Sequence, residues 1–312
     1  MGYLNFDKAS GVERDSLALF RAESWAKGLT SQEFCERNRI LYEHPFGKNK
    51  IETFVLKNPE NKIISSMDAL QVKFFFRETY SHEIEEREGF LIASVITPVQ
   101  HRHKGYASFL LKEFLSRQKW NLGILYSDIG PKFYEGLDFQ KTGVQVREIS
   151  EPFPKSKSQI QALEMPRWIE KVRLIRRKGF EQCSHSQMAL VPEATFWDWQ
   201  IERFRYLSKL KGQNLAEDSF FEIETQKGSS YFSVVANPLT KIAEVLWFDP
   251  DCPESLPAIG KVVQDWGLKK FIFWGAKSQG KLLYEECPMG WFLGATKPKP
   301  EGFYDPQLCD WW

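Results

Sequence analysis

The chain has 312 residues, with 42 Lys or Arg against 41 Asp or Glu for a formal net charge of +1. That balance supplies no global field for nucleic acid or an anionic membrane, and no run of about 18 apolar residues offers a membrane-spanning helix. The length exceeds one usual domain, and 42% hydrophobic with 15% aromatic residues can fill a large core, so two domains are expected.

Apolar residues recur at helical spacing in "VERDSLALFRAESWAKGL", and "TSQEFCERNRILYEHPF" starts with Thr30 and Ser31 ahead of Glu33, a capping signal. Two helices therefore open the chain. "KIETFVLK" and "KIISSMDALQVKFFF", split by "NPEN", predict a hairpin. A charged loop, "RETYSHEIEEREG", then leads to "FLIASVITP", whose apolar, partly β-branched run predicts a central strand covered on both faces. Residues 104–118 carry one apolar stripe, Tyr106, Phe109, Leu110, Phe114 and Leu115, of an amphipathic helix. "LGILYSD" predicts a strand, "PKFYEGL" a short helix opened by Pro131, and "FQKTGVQVREI" a returning strand.

These elements make an α/β domain over residues 1–150. "SEPFPKSKSQ", rich in Pro, Ser and Lys, predicts a linker, followed by a second, smaller α/β domain over residues 160–312. Its elements are a helix near "PEATFWDWQIERFRYLSKL", strands at "FFEIETQ", "SYFSVVAN" and "KIAEVLWF", a helix at "PESLPAIGKVVQDWG" and a strand at "KKFIFWG". Strand, strand, helix, strand loosely echoes the first half, which raises a reduced, cofactor-free relative as an expectation. Trp247, Trp266, Trp274, Trp291, Trp311 and Trp312 are expected mostly in the core, with some walling an acceptor pocket at the domain junction.

Five scattered cysteines, with no CxxC pair and no histidine at ligand spacing, predict a reducing, metal-free interior. The start, "MGYLNFDKAS", lacks an apolar signal core, and Phe6 stands where a myristoylation signal needs Ser or Thr. A cytoplasmic protein is the expectation.

The stretch "TPVQHRHKGYASFLL", residues 97–111, joins the central strand to the amphipathic helix. A helix start leaves its first amides unpaired, and those N–H groups with the helix dipole attract an anion. Arg102, His103 and Lys104 add positive charge, and Gly105 permits close approach of backbone to ligand. A phosphate is the expected guest, although neither GxxxxGK[ST] nor GxGxxG is present.

Residues 102–107 read Arg-x-x-Gly-x-Ala, which resembles the pyrophosphate loop of the GCN5-related N-acetyltransferases, Gln/Arg-x-x-Gly-x-Gly/Ala. "ERNRILYEHPF", "IASVITPVQHRHKGYASFLL" and "LYSDIGPKFY" together resemble the lysine ε-N-acetyltransferase family known from fungi, over residues 15–140. Asp138 departs from the pattern, standing where the family usually has glycine. The resemblance implies a mixed central sheet flanked by helices that binds acetyl-CoA. Backbone groups of Val95, Ile96 and Thr97 would hold the pantetheine arm and acetyl carbonyl. Amides of Arg102, His103, Lys104, Gly105, Tyr106, Ala107 and Ser108 would hold the pyrophosphate. It also implies that Tyr134, five residues before the closing aromatic Phe139, is the acid that protonates the departing thiolate, with Phe133 as the more buried neighbour.

The implied reaction needs a neutral amine, although an alkyl amine with a pKa of about 10.4 arrives protonated. His82, Glu83, Glu85, Glu86 and Glu88 could supply a base or an acidic mouth, against the plainer reading of a solvated loop. His101 and His103 are expected to support phosphate or face water. The basic run at residues 171–179 is expected to be a solvated helix face or a contact to the cofactor's phosphates, rather than a nucleic-acid surface. The implied partner is a small-molecule amine or a lysine side chain, with no nucleic acid and no membrane. The alternative is a non-catalytic CoA-binding sensor or scaffold whose carboxyl half contacts a partner.

Overall fold

Ser10 and Thr30 each close a capping box: the hydroxyl accepts from the third helical amide, and Glu13 or Glu33 accepts in return from the cap's own amide. Those caps start α1 (Gly11–Trp25) and α2 (Ser31–Glu43), which follow β1 (Asn5–Lys8). Lys57, 2.7 Å from Glu13, together with the Ser10 cap holds that carboxyl down at about 2. A short α3 (Pro45–Lys50) leads into the expected hairpin, β2 (Ile51–Lys57) antiparallel to β3 (Ile63–Arg77). Next come β4 (Glu85–Ile96), a 3-10 turn (Val99–His101), α4 (Tyr106–Ser116), β5 (Leu122–Ser127), α5 (Lys132–Glu135) and β6 (Gln140–Lys141).

This computed structural model describes residues 3–77, 83–119, 122–127, 131–141, 144–182, 187–213, 219–249, 251–275, 281–292 and 302–303. The chain divides into two units: residues 1–74, 86–141 and 288–299 form the first, and residues 75–85, 142–287 and 300–312 the second.

In the first unit the strand order is β1-β2-β3-β4-β5, with β1 antiparallel to β2 and β4 parallel to β5. Of the predicted stripe of α4, Leu110, Phe114 and Leu115 are buried, joined by Leu111, while Phe109 is exposed; the Phe114 ring lies 5.1 Å from Phe54 and 5.0 Å from Phe90. A polar knot anchors α1 and α2. The Asp68 carboxylate on β3 accepts from Arg21 at 2.6 and 3.1 Å, from the Tyr42 hydroxyl at 2.9 Å and from the Thr53 hydroxyl at 2.7 Å. Asp68 is 0% and Arg21 2% exposed, so each charge depends on the other for compensation. Burial and the neighbouring Asp68 push the Tyr42 phenol up to about 12.

The second unit contains β7 (Val144–Ser150), β8 (Ile160–Ala162), α6 (Met165–Gln182), β9 (Gln187–Leu190), α7 (Ala194–Leu210), β10 (Phe220–Thr225), β11 (Gly228–Asn237) and β12 (Ile242–Phe248). It continues with α8 (Ser255–Asp265), β13 (Lys270–Gly275), part of β14 (Lys281–Phe292) and β15 (Gly302–Phe303). β8 pairs antiparallel with β10, β10 with β11 and β11 with β12, and β13 returns parallel to β12 after α8. This repeats the order of the first unit, in which a first strand pairs with the strand after a helix pair, and one more helix precedes a parallel strand. Trp168, Trp197 and Trp247 form its aromatic centre, with ring centroids 4.8 and 5.7 Å from Trp168, whose indole N–H donates to the Phe232 carbonyl.

Four expectations need correction. β7 does not end the first domain: it pairs with β13 in the second unit, and the division falls after Lys141 rather than at 150. The second unit is not the smaller, because it holds more of the chain. The supposed linker contributes Phe153, whose ring packs 5.7 Å from Phe271 and against Gly260. The charged loop before the central strand is itself partly strand, because β4 begins at Glu85. Trp311 and Trp312 lie outside the described residues.

Candidate active site

β4 pairs with β5 only over residues 90–92 among the described residues, and two positions later Ser94 turns to a φ of 52°. A left-handed φ at a non-glycine residue interrupts the extended run of the strand there. Val95, Ile96 and Thr97 thus lie past the end of the ladder, beside the start of the next turn.

That turn is braced by its own basic side chains. The Arg102 guanidinium donates to the Thr97 carbonyl at 3.0 Å, and the Lys104 ammonium to the Gln100 carbonyl at 3.2 Å. His103 and Gly105 have φ values of 61° and 79°, so the chain twists through the left-handed region twice before α4 begins. Gly105 is the N-cap and has no side chain to accept from the first amides, while its carbonyl takes the Phe109 amide. Among the described residues, the amides of Tyr106, Ala107 and Ser108 find no backbone acceptor, as expected for a first helical turn. A Cβ built on Gly105 meets no atom within 4 Å, so the space above these donors is open.

A cavity of about 600 Å³ occupies that space. Its lining includes Val95, Ile96, Thr97, Arg102, His103, Gly105, Tyr106, Ala107, Ser108 and Tyr134, nearly every residue the sequence singled out, with Lys104 bonded to the adjacent turn. Tyr134 arrives on α5, where the Pro131 carbonyl accepts the Tyr134 and Glu135 amides and the Tyr134 carbonyl accepts the Phe139 amide. Its ring makes edge contacts with Phe133 at 4.8 Å and Phe139 at 5.9 Å. The expected burial order is reversed, with Tyr134 at 6% exposure and Phe133 only half-buried. Asp138 has a φ of 64°, which explains why glycine suits that position and why Asp, tolerant of the left-handed region, can replace it.

Sequence reasoning missed Ser24 and Trp25, which line the cavity from the end of α1. Arg21 stands one helical turn earlier, so its bond to Asp68 fixes the end of the helix that carries them. The acidic run is placed elsewhere. Glu85, Glu86 and Glu88 stand toward the opposite end of β4 from Val95, about 23 to 33 Å away at about 3.3 Å per residue. Glu88 accepts there from Gln71, so an acidic mouth at this cavity is not formed by these residues. His82 and residues 128–130 lie outside the described residues. His101 lines the cavity, 6.3 Å from the Tyr106 ring. On α6, Arg176 is not solvated: it is 1% exposed and donates to the Leu190 carbonyl. Among the described residues no group of three His, Cys, Asp or Glu could hold a metal ion, and no helix is long and apolar enough to cross a membrane.

No protein-family model and no curated protein matches the sequence. Solved structures do match its fold. A GCN5-related N-acetyltransferase from Kribbella flavida superposes with a TM-score of 0.60 at 11% identity, covering 93% of this chain and 72% of that one. A GCN5-related N-acetyltransferase from Anabaena variabilis gives 0.56 at 13% identity, covering 92% and 72%. Saccharomyces cerevisiae N-myristoyltransferase with bound myristoyl-CoA gives 0.52 at 11% identity, covering 94% and 79%. The chain therefore has the mixed α/β fold of the GCN5-related N-acetyltransferases, as its pyrophosphate-loop pattern implied.

Proposed function

We propose that the protein is an acetyl-CoA-dependent N-acetyltransferase acting on a primary amine. The observation that carries this reading is the open row of amides at residues 106–108, set beside Arg102 and Gly105 in one cavity with Val95, Ile96, Thr97 and Tyr134, with Lys104 on the adjoining turn. The donor set fits a diphosphate: N–H groups and the positive end of α4 face an open space flanked by fixed cations. The free strand edge after Ser94 offers backbone partners to an amide-bearing pantetheine arm. The neighbours' names support acyl-CoA as the donor class. The acceptor as the ε-amine of lysine or a lysine-like molecule rests on the resemblance of residues 15–140 to the fungal enzymes. Scattered cysteines fit a reducing, cytoplasmic setting.

The chemistry follows from the cavity. The nitrogen of a neutral amine attacks the thioester carbonyl, the C–S bond breaks, and the amide forms while the thiolate takes a proton. Amide groups near Val95 and Ile96 would polarise the carbonyl where negative charge develops. The Tyr134 hydroxyl would give its proton to sulfur, and the proton lost from the amine restores the phenol through solvent. Incubating the protein with acetyl-CoA and L-lysine, Nα-acetyl-lysine or spermidine, and measuring free thiol release, tests the proposal. Tyr134→Phe is expected to keep CoA binding and lower kcat by about 10²-fold or more. Unchanged turnover removes Tyr134 from the mechanism. Tight CoA binding without thiol release from any amine favours a sensor or scaffold.

A further inference from the structure

A second cavity, of about 240 Å³, lies against the same strand end. Leu17 and Phe20 of α1, Ile63 of β3, and Ile96 with Pro98 give it apolar walls. Its floor carries Ser65 and Ser66, whose hydroxyls already have partners in the protein. Ser65 meets the Ile96 carbonyl at 3.1 Å and the Thr97 hydroxyl at 3.0 Å, and Ser66 lies 3.5 Å from Arg21. A ligand there would meet mostly hydrocarbon. Among the described residues none that lines it carries a charge, so an ammonium group would find no counter-ion among them.

The strand end borders both this space and the larger cavity. Ile96 lines both, and Thr97 of the larger cavity is bonded to Ser65 of the smaller. Ile96 ends β4 and lines both cavities, whereas Val95 and Thr97 line the larger and Pro98 the smaller. Among the described residues β4 pairs with β5 no further than residue 92, which leaves the strand edge beside both cavities available to a chain attached at the thioester. The volume is room for about eight groups the size of a water molecule.

We propose that the smaller cavity is an acyl-chain subsite, and that the protein binds acyl-CoA donors with unbranched aliphatic chains more tightly than acetyl-CoA. This rests on the acyl-CoA reading of the larger cavity. The test is calorimetric titration of the full chain with CoA, acetyl-CoA and hexanoyl-CoA. Hexanoyl-CoA is expected to bind about tenfold or more tighter than acetyl-CoA, from the four added methylenes. Ser16→Trp plugs the cavity from an exposed α1 position whose hydroxyl donates to the Val12 carbonyl. That variant is expected to erase the preference while leaving the affinity for CoA itself unchanged, and Ile63→Trp, from the half-buried start of β3, should do the same. Equal binding of acetyl- and hexanoyl-CoA overturns the proposal, as does a preference that survives both variants. If chain length has no effect and Ser16→Trp instead raises the KM for the amine, the cavity belongs to the acceptor and the proposal fails. Failure of CoA itself to bind the wild-type chain sinks the acyl-CoA reading, a result distinct from a missing chain-length effect.

Discussion

Two strand-to-helix turns stand at the same place in two copies of one element order, β4 to α4 and β12 to α8. In the first, Arg102, Lys104 and the left-handed Gly105 precede a helix whose opening amides face a cavity. In the second, Asp249, Asp251 and Glu254 precede α8. The Asp249 carboxylate there accepts from the Asp251 amide and the Ser230 hydroxyl, and its carbonyl accepts from the Cys252 amide and the Ser255 hydroxyl. The Cys252 carbonyl takes the Ser255 amide. An anion would meet like charge and donors already engaged. The helix pairs differ as well: α1 and α2 are tied to the sheet through buried Asp68, whereas α6 and α7 pack on the indoles of Trp168 and Trp197. Element order is thus shared by both units, while competence to bind a diphosphate depends on which amides a local sequence leaves unengaged.

The comparison can be broken first at Gly105. Gly105→Glu places bulk and negative charge over the open amides, and CoA binding is expected to fall below detection in calorimetry. The fold should survive with a loss of about 1–2 kcal/mol, because the Cβ meets open space and only the backbone conformation is strained. Next is Asp68→Ala, which leaves the Arg21 guanidinium buried without its counter-charge. Chemical denaturation should show a loss of about 3–5 kcal/mol. The smallest effect is expected at Asp249, whose carboxyl is pushed up by burial. A raised folded pKa gives stability that is present below the unfolded value of about 3.9 and lost as pH rises through the folded value. Asp249→Asn should therefore gain about 1 kcal/mol or less on wild type at pH 7, with the gain gone by about pH 3, and CoA affinity should not change. Altered CoA affinity in that variant would tie the second turn to the site.

Local signals in the sequence led far into this molecule. The capping residues Ser10 and Thr30, the stripe on α4, and the spacing from Arg102 to Ala107 act over a few residues, and their physics is complete within that window. What stayed hidden depends on partners distant in sequence. Trp25 reaches the cavity because Arg21 finds Asp68, 47 positions away, and no periodicity encodes that pairing. β7 reads as a strand in any setting, and only its bonds to β13 assign it to the second unit. The acidic run that opens β4 fits the plainer reading of a solvated segment, because charge in sequence carries no information on which end of a strand a cleft occupies.

β6 closes on Met289 and Gly290, residues that emerge from synthesis only after nearly all of the second unit has been made. The amino-terminal half is consequently not a free-standing piece, and a chain cut near residue 150 would lack a strand partner that its sheet uses. Such late, distant pairing raises contact order and slows folding, leaving an edge exposed while the ribosome is still at work.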